Sequence, residues 1–90
     1  MELEWDPAKA GRNLRKHGVA FEEAATVFGD PFELYIYDPD HSVMEERFVS
    51  VGMAATGRLL VVGYTDRGRK IRIIFARRAT ASERLDYEEA

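Results

Sequence analysis

Residues 58–78 read RLLVVGYTDRGRKIRIIFARR, a stretch rich in both strand-forming and basic side chains. β-Branched and aromatic residues fill two arms, Arg58–Thr65 and Lys70–Arg77, and Arg67-Gly68 between them suits a tight turn with positive φ. The stretch therefore predicts a β-hairpin. It carries seven Arg and Lys side chains and one acid, Asp66, although the formal net charge of the chain is −3. Such a basic patch in an acidic protein suggests a ligand or a partner of opposite charge.

Composition limits the class of protein. The 90 residues suffice for a single domain, 1–90, with one hydrophobic core. The chain has no cysteine, which excludes disulfides and thiolate zinc sites and is typical of a reducing cytoplasm. No apolar run approaches the roughly 20 residues of a membrane span, and the acidic N-terminus does not resemble a signal peptide. We therefore expect a cytoplasmic protein that does not contact membranes.

Charge is segregated along the chain. Residues 9–16 carry four basic side chains, whereas residues 22–46 hold eight acids and neither Lys nor Arg. Such a chain either neutralises itself internally, or offers a basic face to a polyanion and an acidic face to a basic protein. Charges that only solvate the surface are the alternative interpretation.

Local signals predict the element order β-α-α-β-β-β-β-α. Asp6-Pro7 begins a helix that ends at His17 before Gly18, and Thr80 with Glu83 forms the capping box of a last helix. The predicted strands are 2–5, 34–37, 46–53, 58–65 and 70–77, and the predicted helices are 7–17, 21–28 and 81–88. Consecutive strands with short connections predict an α+β fold. In it, the N-terminal helices and the C-terminal helix pack on one face of an antiparallel meander.

Helical spacing predicts which side chains face the sheet. In the first helix Ala10, Leu14 and His17 share an inner face. A basic stripe lies on another face of that helix and consists of Lys9, Arg12, Asn13 and Lys16. Leu85 is the expected main apolar contact of the last helix.

The predicted register divides the hairpin into two faces. If Thr65 pairs with Lys70, Arg72 stands opposite Gly63, whose missing side chain leaves room for a guanidinium or a ligand. The better core face holds Leu60, Val62, Tyr64, Ile71, Ile73 and Phe75. Arg58 and Arg77 pair at the far end of the hairpin.

Arg72 has two interpretations, since an unpaired charge within an apolar strand is costly. A structural Arg72 would bond a carboxylate such as Asp30 or Glu33. A functional Arg72 would be one prong of a phosphate clamp, for which the planar guanidinium is well suited. The basic residues available beside it favour the functional interpretation, namely Arg58, Arg77, Arg78, Lys16 and His17.

The two histidines have an unperturbed pKa near neutrality. His17, at a helix C-terminus, suits a general acid because the helix dipole stabilises its charged form. A histidine that only caps the helix and packs on the core is the alternative. His41 lies in a loop with Asp38 and Asp40, but their spacing matches no metal signature. We therefore expect neither a metal nor a cofactor.

Five ordered motifs extend over nearly the whole chain. They are Trp5-Asp6-Pro7-x-Lys9, Asn13-x-x-Lys16-His17-Gly18-Val19-x-Phe21-x-x-Ala24, Phe28-x-Asp30-Pro31, Arg72-Ile73-Ile74-x-Ala76-Arg77-x-Ala79 and Glu83-Arg84-x-x-Tyr87. In this order they resemble the BrnT family of bacterial toxins, although each alone would be a weak signal.

The resemblance implies a toxin of a type II toxin–antitoxin system with a RelE-like fold, a ribonuclease that slows translation by cutting RNA. It implies as partner a BrnA-like ribbon-helix-helix antitoxin, expected in a heterotetramer. Through that antitoxin the pair would contact operator DNA and repress its own operon. The family's basic positions correspond here to Lys16, His17, Arg47, Arg72 and Arg77, with Arg58 and Tyr64 as further candidates.

Two positions depart from the family pattern. Phe75 stands where the pattern Arg-Ile-Ile-Ser-Ala-Arg has its Ser, and Ala20 stands where a Ser caps the second helix. The lost cap would destabilise that helix by about 1 kcal/mol. On the predicted core face Phe75 only repacks, but if the family's Ser approaches the phosphate, the replacement puts activity in question.

The expected chemistry is metal-free RNA cleavage by the ribose 2′-OH. We predict Arg72 and Arg77 as the charge clamp and His17 as general acid, with Lys16, Glu33 or Tyr64 as the second proton-transfer group. Further expected RNA-binding residues are Arg47, Arg58, Tyr64, Lys70 and Arg78. One alternative is a non-enzymatic domain that uses the same basic face to hold RNA or an acidic partner. The other is a metal-dependent nuclease that uses Asp38, Asp40 and His41.

Overall fold

The elements of the fold follow one another in the predicted order. The computed structural model of the protein describes residues 2–38 and 46–90, and the side chains of all of these except Tyr37 and Asp38. The strands are β1 (Glu2–Glu4), β2 (Leu34–Asp38), β3 (Arg47–Met53), β4 (Leu59–Arg67) and β5 (Lys70–Arg78), and the helices are α1 (Pro7–His17), α2 (Phe21–Ala25) and α3 (Ala81–Glu89). The second helix is shorter than predicted, because the chain tightens into a 3₁₀ helix at Thr26–Gly29.

The sheet has the strand order β1-β5-β4-β3-β2. Strands β2 to β5 form the predicted antiparallel meander. β1 lies parallel to β5, so the sheet is mixed rather than wholly antiparallel. Because β1 pairs only with Lys70, Ile71 and Arg72, the outer edge of β5 beyond Arg72 has no strand neighbour within the described residues.

The hairpin turn lies one residue later than predicted. Gly68, with a φ of 75°, and Arg69 form the turn, so Arg67 rather than Thr65 pairs with Lys70. The positive φ explains the glycine at this position. The first arm therefore continues to Arg67, and every cross-strand pair in the hairpin differs from the prediction.

A β-bulge then changes the face on which half of β5 lies. Tyr64 pairs with Ile73, but the next pair is Gly63 with Phe75, which leaves Ile74 as the extra residue. A bulge of this kind moves every later side chain to the opposite face. Phe75 consequently leaves the predicted core face, and Ala76 takes its place there.

Phe75 fills the space above Gly63. A Cβ atom placed on Gly63 would lie 2.0 Å from Cε1 of the Phe75 ring, so the close approach of the ring requires glycine. The prediction that Arg72 stands opposite Gly63 is wrong, since Arg72 pairs with Thr65. The room left by the glycine holds an aromatic ring rather than a guanidinium.

Helices cover both faces of the sheet. On the first face, α1 and α2 pack over the main core of Val19, Phe21, Ala24, Val27, Ala54, Leu60, Val62, Ile73 and Ala76. On the second face, α3 packs over a smaller cluster of Val51, Leu59 and Val61, with Phe75, Ala79 and Tyr87 beside it. The expectation that all helices share one face is therefore wrong. Tyr87 packs on this cluster, whereas Leu85 is 55% exposed and is not the main apolar contact of α3.

Asp30 anchors α3 to the second face. Its Oδ2 accepts hydrogen bonds from the Met53 N–H at 2.7 Å and from the Tyr87 hydroxyl at 2.6 Å, and its Oδ1 accepts one from the Phe32 N–H at 2.9 Å. Burial alone would raise the pKa of Asp30, but these hydrogen bonds outweigh it and lower the pKa. The bond to Asp30, together with burial, raises the pKa of Tyr87 to about 12.

The helix ends follow the sequence signals. The Asp6 side chain accepts a hydrogen bond from the Ala8 N–H at 3.0 Å, and Gly18 ends α1 with a φ of 69°. Thr80 and Glu83 form the predicted capping box, whereas Ala20 makes no side-chain cap at the start of α2.

Asn13 closes the open edge of β5. Its side chain is 7% exposed, and its Nδ2 donates to the carbonyl oxygens of Ala76 at 2.8 Å and of Val19 at 2.9 Å. Its Oδ1 accepts the Ala76 N–H at 3.0 Å. The amide thus replaces a neighbouring strand, since buried peptide groups without partners are costly. Asn13 is therefore not part of an exposed stripe, and Leu14, predicted to face inward, is 51% exposed.

Replacing Asn13 should destabilise the fold strongly. Asn13→Ala removes three buried hydrogen bonds and leaves peptide groups of Ala76 and Val19 unpaired, so we expect the free energy of unfolding to fall by about 3 kcal/mol. Urea denaturation followed by circular dichroism measures the change. Leu14→Ala, one position along the same helix and half-exposed, is the control, and we expect it to change stability by less than about 0.5 kcal/mol. Equal effects of the two variants would show that Asn13 does not close the edge.

Candidate nucleic-acid interface

Two basic grooves meet at the β5 bulge. The helix groove, about 370 Å³, is lined by Lys9, Arg12, Asn13, Lys16, His17, Ile74 and Phe75. The sheet groove, about 430 Å³, is lined by Arg47, Phe48, Val49, Val61, Ile74, Phe75 and Arg77. Ile74 and Phe75 line both, so the two grooves are neighbouring parts of one surface.

Basic side chains of α1 and of the sheet line this surface. In α1, Lys9, Arg12 and Lys16 recur at helical spacings of three and four, which places them along one side of the helix. On the sheet, Arg47, Val61 and Arg77 lie on the second face and together line the sheet groove. A cationic surface with an aromatic floor suits single-stranded nucleic acid, because the cations attract phosphates and the ring can stack a base.

Four predicted site residues share this surface. Lys16 is exposed and His17 half-buried on the helix side, while Arg47 is exposed and Arg77 half-buried on the sheet side. Arg77 pairs across the sheet with Val61 and not, as predicted, with Arg58. The bulge thus brings the C-terminal end of α1 next to the second face of the sheet. The junction of the two grooves, at Ile74 and Phe75, is called the seam below.

Arg77 is held in place by α3. Its Nη1 and Nη2 donate to the two carboxylate oxygens of Glu83, each at 2.8 Å. The guanidinium lowers the pKa of Glu83 to about 2, and this hydrogen bond in turn raises the pKa of Arg77. The Arg77 side chain remains 35% exposed. It is therefore a positioned cation that still faces solvent.

Arg72 lies beside the sheet groove in a row with two other residues. Arg47, Thr65 and Arg72 are direct cross-strand neighbours on β3, β4 and β5, so their side chains share the second face. Arg72 pairs with Glu4 at 3.6 Å, and both side chains are about one-third exposed, at 30% and 34%. Its carboxylate partner is thus neither Asp30 nor Glu33, and so exposed a pair is weak.

Thr65 is a residue that sequence reasoning missed. It is 2% exposed, and its Oγ1 is the buried side-chain atom that finds no hydrogen-bond partner among the described residues. A buried hydroxyl without a partner is unusual and often marks a functional position. Its place between Arg47 and Arg72 follows from the register alone. No local sequence signal distinguishes it from an ordinary strand threonine.

Arg58 and Tyr64 lie away from both grooves. Arg58 Nε donates to Glu23 Oε2 at 2.8 Å, its Nη2 forms an ion pair with the other oxygen of Glu23, and it also donates to the Gly18 carbonyl at 3.0 Å. The hydrogen bond from Arg58 lowers the pKa of Glu23. Tyr64 is 7% exposed on the first face. Arg58, the residue before β4, thus links the start of that strand to α2, and Tyr64 belongs to the first face.

The last two predicted RNA-binding residues also line neither groove. Lys70 is exposed next to the hairpin turn, and Arg78 is exposed at the end of β5. Glu33, named above as a possible proton-transfer group, lies with Tyr64 at a separate pocket. The structure therefore brings together Lys16, His17, Arg47 and Arg77, with Arg72 beside them.

Neither a metal cluster nor a membrane span occurs in the described part of the chain. Across residues 2–38 and 46–90, no group of three or more His, Asp or Glu side chains is placed to hold a metal ion. In these same ranges no helix is long and apolar enough to cross a membrane. The alternative metal site of Asp38, Asp40 and His41 depends on residues 39–45 and on the Asp38 side chain, which lie outside the description.

Comparison with known proteins identifies the family. Residues 5–83 match the family model described as "Ribonuclease toxin, BrnT, of type II toxin-antitoxin system". The chain belongs to the BrnT family. A crystal structure of the ribonuclease toxin BrnT of Brucella abortus superposes with a TM-score of 0.65 at 20% sequence identity, covering 89% of this chain and 97% of that one. A search of curated proteins gave no match.

Family membership confirms the resemblance that the five motifs carry, and the crystal structure confirms the predicted α+β fold class. A BrnT-family chain is a ribonuclease toxin of a type II toxin–antitoxin system. The likeness to the Brucella protein concerns the fold alone, so the roles of individual residues rest on the geometry of the two grooves.

The pairing of Arg77 with Glu83 should appear in the pH dependence of stability. The depressed pKa means that the ionised Glu83 stabilises the fold above its unfolded-state value of about 4.3. This contribution is lost as the pH falls toward about 2. Glu83→Gln keeps a side chain suited to the capping box and should lower stability at pH 7 by about 1 kcal/mol, since the pair is partly screened by solvent.

Urea unfolding of the wild type and of Glu83→Gln at several pH values measures this effect. The difference between them should shrink as the pH falls from 5 to about 2. Glu88→Gln, an exposed substitution on the same helix, is the matched control and should show no such trend. A difference that stays constant down to pH 2 would refute the ion pair.

Proposed function

We propose that this BrnT-family chain is a metal-independent endoribonuclease whose RNA site is the surface formed by the helix and sheet grooves. The observation that carries the proposal is the bulge at Ile74. It joins a helix end with a histidine and a lysine to a sheet face with arginines. Phosphate binding and proton transfer, the two requirements of metal-free cleavage, thus meet at one seam.

The proposed reaction is attack of a ribose 2′-OH on the adjacent phosphate. The bond from O2′ to phosphorus forms while the bond from phosphorus to O5′ breaks, giving a 2′,3′-cyclic phosphate and a 5′-hydroxyl. A base removes the proton of the 2′-OH, and an acid delivers a proton to O5′. His17 is the proposed acid because it lies at the C-terminal end of α1 and lines the helix groove, and imidazole is the side chain used most often for proton transfer. Lys16 is the neighbouring proton-transfer candidate in the same groove.

Arginines supply the charge stabilisation in this proposal. Arg77 is oriented by two hydrogen bonds from its guanidinium to Glu83, so it needs little rearrangement when negative charge develops on the phosphorane. Arg47 lines the same groove, and Arg72 lies two strands away on the same face. Arg72 would leave its weak pair with Glu4 to contact the RNA backbone.

The expected partner is an antitoxin. A type II toxin–antitoxin family implies a protein that neutralises the toxin. We propose a BrnA-like ribbon-helix-helix antitoxin that forms a heterotetramer with this chain, covers the grooves and carries the contacts to operator DNA. Free toxin would slow translation by cutting RNA. The segregation of basic and acidic residues along the chain supports such a partner, since the toxin offers it both a basic and an acidic region.

Phe75 favours a second candidate function. It occupies the seam where the family pattern quoted above has a serine, and its ring fills the floor shared by both grooves. An aromatic floor favours base stacking over contact with a phosphate. A chain that holds RNA on this surface without cleaving it is therefore the alternative.

RNA cleavage in the presence of a chelator tests the proposal. Purified protein should convert a short RNA to fragments with cyclic-phosphate ends, and the corresponding DNA should remain intact because it lacks the 2′-OH. Arg77→Gln should lower the rate on the order of 10²–10³-fold, the usual effect of losing one preorganised charge-stabilising group. Arg84→Gln, an exposed arginine of α3 that lines neither groove, is the matched control and should keep the full rate.

Three other outcomes would decide against the proposal. RNA that is bound but left intact by folded wild-type protein would favour the binding-only alternative. Cleavage that needs added metal would contradict the metal-free mechanism. Equal rates for Arg77→Gln and Arg84→Gln would show that Arg77 does not contribute to cleavage and that the sheet groove is not part of the active site.

A further inference from the structure

A pocket on the first face is chemically different from the two grooves. It has a volume of about 250 Å³ and is lined by Phe28, Glu33, Tyr35, Tyr64 and Ile71. These lining residues comprise three aromatic rings, one aliphatic side chain and one carboxylate. The basic grooves offer cations to a ligand, whereas this pocket offers aromatic faces and a negative charge.

The strand register builds the aromatic wall. Tyr35 pairs with Ser50 and Phe48 with Tyr64, so these side chains project from the same face of the sheet. The Tyr64 ring is stacked on Phe48 at a centroid distance of 5.7 Å and meets Phe28 edge-on at 5.1 Å. Tyr64 is thereby fixed, whereas Tyr35 is 70% exposed at the sheet edge. Tyr64 therefore forms a rigid wall of the pocket, and the side with Tyr35 is open to solvent.

Glu33 is held by a short hydrogen-bond chain. The Ser50 hydroxyl donates to Glu33 Oε2 at 2.5 Å, and the Tyr64 hydroxyl lies 3.3 Å from Ser50 Oγ. Ser50 has a single hydroxyl proton, so Tyr64 is the donor in the second contact. The chain orients the carboxylate while leaving Glu33 part of the pocket lining.

The surroundings of the pocket are acidic. Burial raises the pKa of Glu33, and the charge of Asp30 raises it further against the lowering effect of the Ser50 bond. Burial also raises the pKa of Tyr64, and Glu33, Tyr35 and Asp66 add to this rise. The local potential therefore favours a cation and opposes the phosphates of RNA.

We propose that this pocket binds a cationic side chain, preferably arginine, supplied by a protein partner of the toxin. A planar guanidinium stacks on aromatic faces and forms two hydrogen bonds to one carboxylate, so it matches both chemical features of the lining. The proposal rests on the proposed function only in naming the antitoxin as the source of that side chain. Because the pocket lies on the first face and the sheet groove on the second, this contact would be additional to those with which the antitoxin covers the grooves.

Titration of the full chain with N-acetylarginine methylamide, followed by NMR, tests this assignment. We expect saturable shifts of the Phe28, Tyr35 and Tyr64 ring signals with a dissociation constant in the millimolar range. The citrulline analogue, which has the same shape and no charge, should bind about tenfold more weakly. Glu33→Gln should weaken arginine binding by a similar factor, whereas Glu22→Gln, an exposed acid of α2 with the same charge change, should not. Urea midpoints confirm that both variants are folded.

Several results would overturn the inference. They are an absence of saturable shifts with the arginine probe, equal binding of the citrulline analogue, or unchanged binding by Glu33→Gln. Shifts produced by guanosine but not by arginine would assign the pocket to a nucleobase instead. The outcome is separate from that of the RNA assay on the wild type. Arginine binding without RNA cleavage would contradict the proposed ribonuclease activity but not this inference. RNA cleavage without arginine binding would contradict this inference but not the proposed activity.

Discussion

The hydrogen bonds between the Asn13 amide and the backbone of Ala76 are the constraint on which the candidate site depends. β1 covers only the first part of β5, so the peptide groups beyond it need another partner, and the Asn13 side chain supplies both a donor and an acceptor. These bonds hold the last turns of α1 against the bulged half of β5. Lys16 and His17 lie one turn beyond Asn13 and therefore reach the same seam.

The bulge at Ile74 is the second constraint, and it depends on glycine. Phe75 packs over the second face because Gly63 has no side chain there. With Phe75 on that face, Arg77 follows two residues later on the same face and lines the sheet groove together with Arg47. The first face retains the main core and, beyond α2, the acidic pocket with Glu33. The acidic pocket on the first face and the sheet groove on the second, with Arg47 and Arg77, thus carry opposite charge.

Sequence reasoning predicted the features that are encoded locally and missed those that depend on pairing across the sheet. The Asp6 cap, the Gly18 stop and the Thr80–Glu83 capping box each follow from a few adjacent residues, and the structure contains all three. The bulge has no local signal, since Ile73, Ile74 and Phe75 read as an uninterrupted strand. Because the predicted register was shifted, it placed Phe75 on the wrong face, put Arg72 opposite Gly63 instead of Thr65, and paired Arg77 with Arg58 instead of Val61.

The central claim is that the helix groove and the sheet groove form one RNA site. Its most direct test is an NMR map of the labelled protein with a short RNA in which every 2′-OH is replaced by 2′-O-methyl, so that no cleavage can occur. A single RNA should shift signals of His17 on α1 and of Arg77 on β5 together, with Phe75 between them. Shifts confined to one groove, or shifts centred on the pocket of Glu33 and Tyr35, would contradict it.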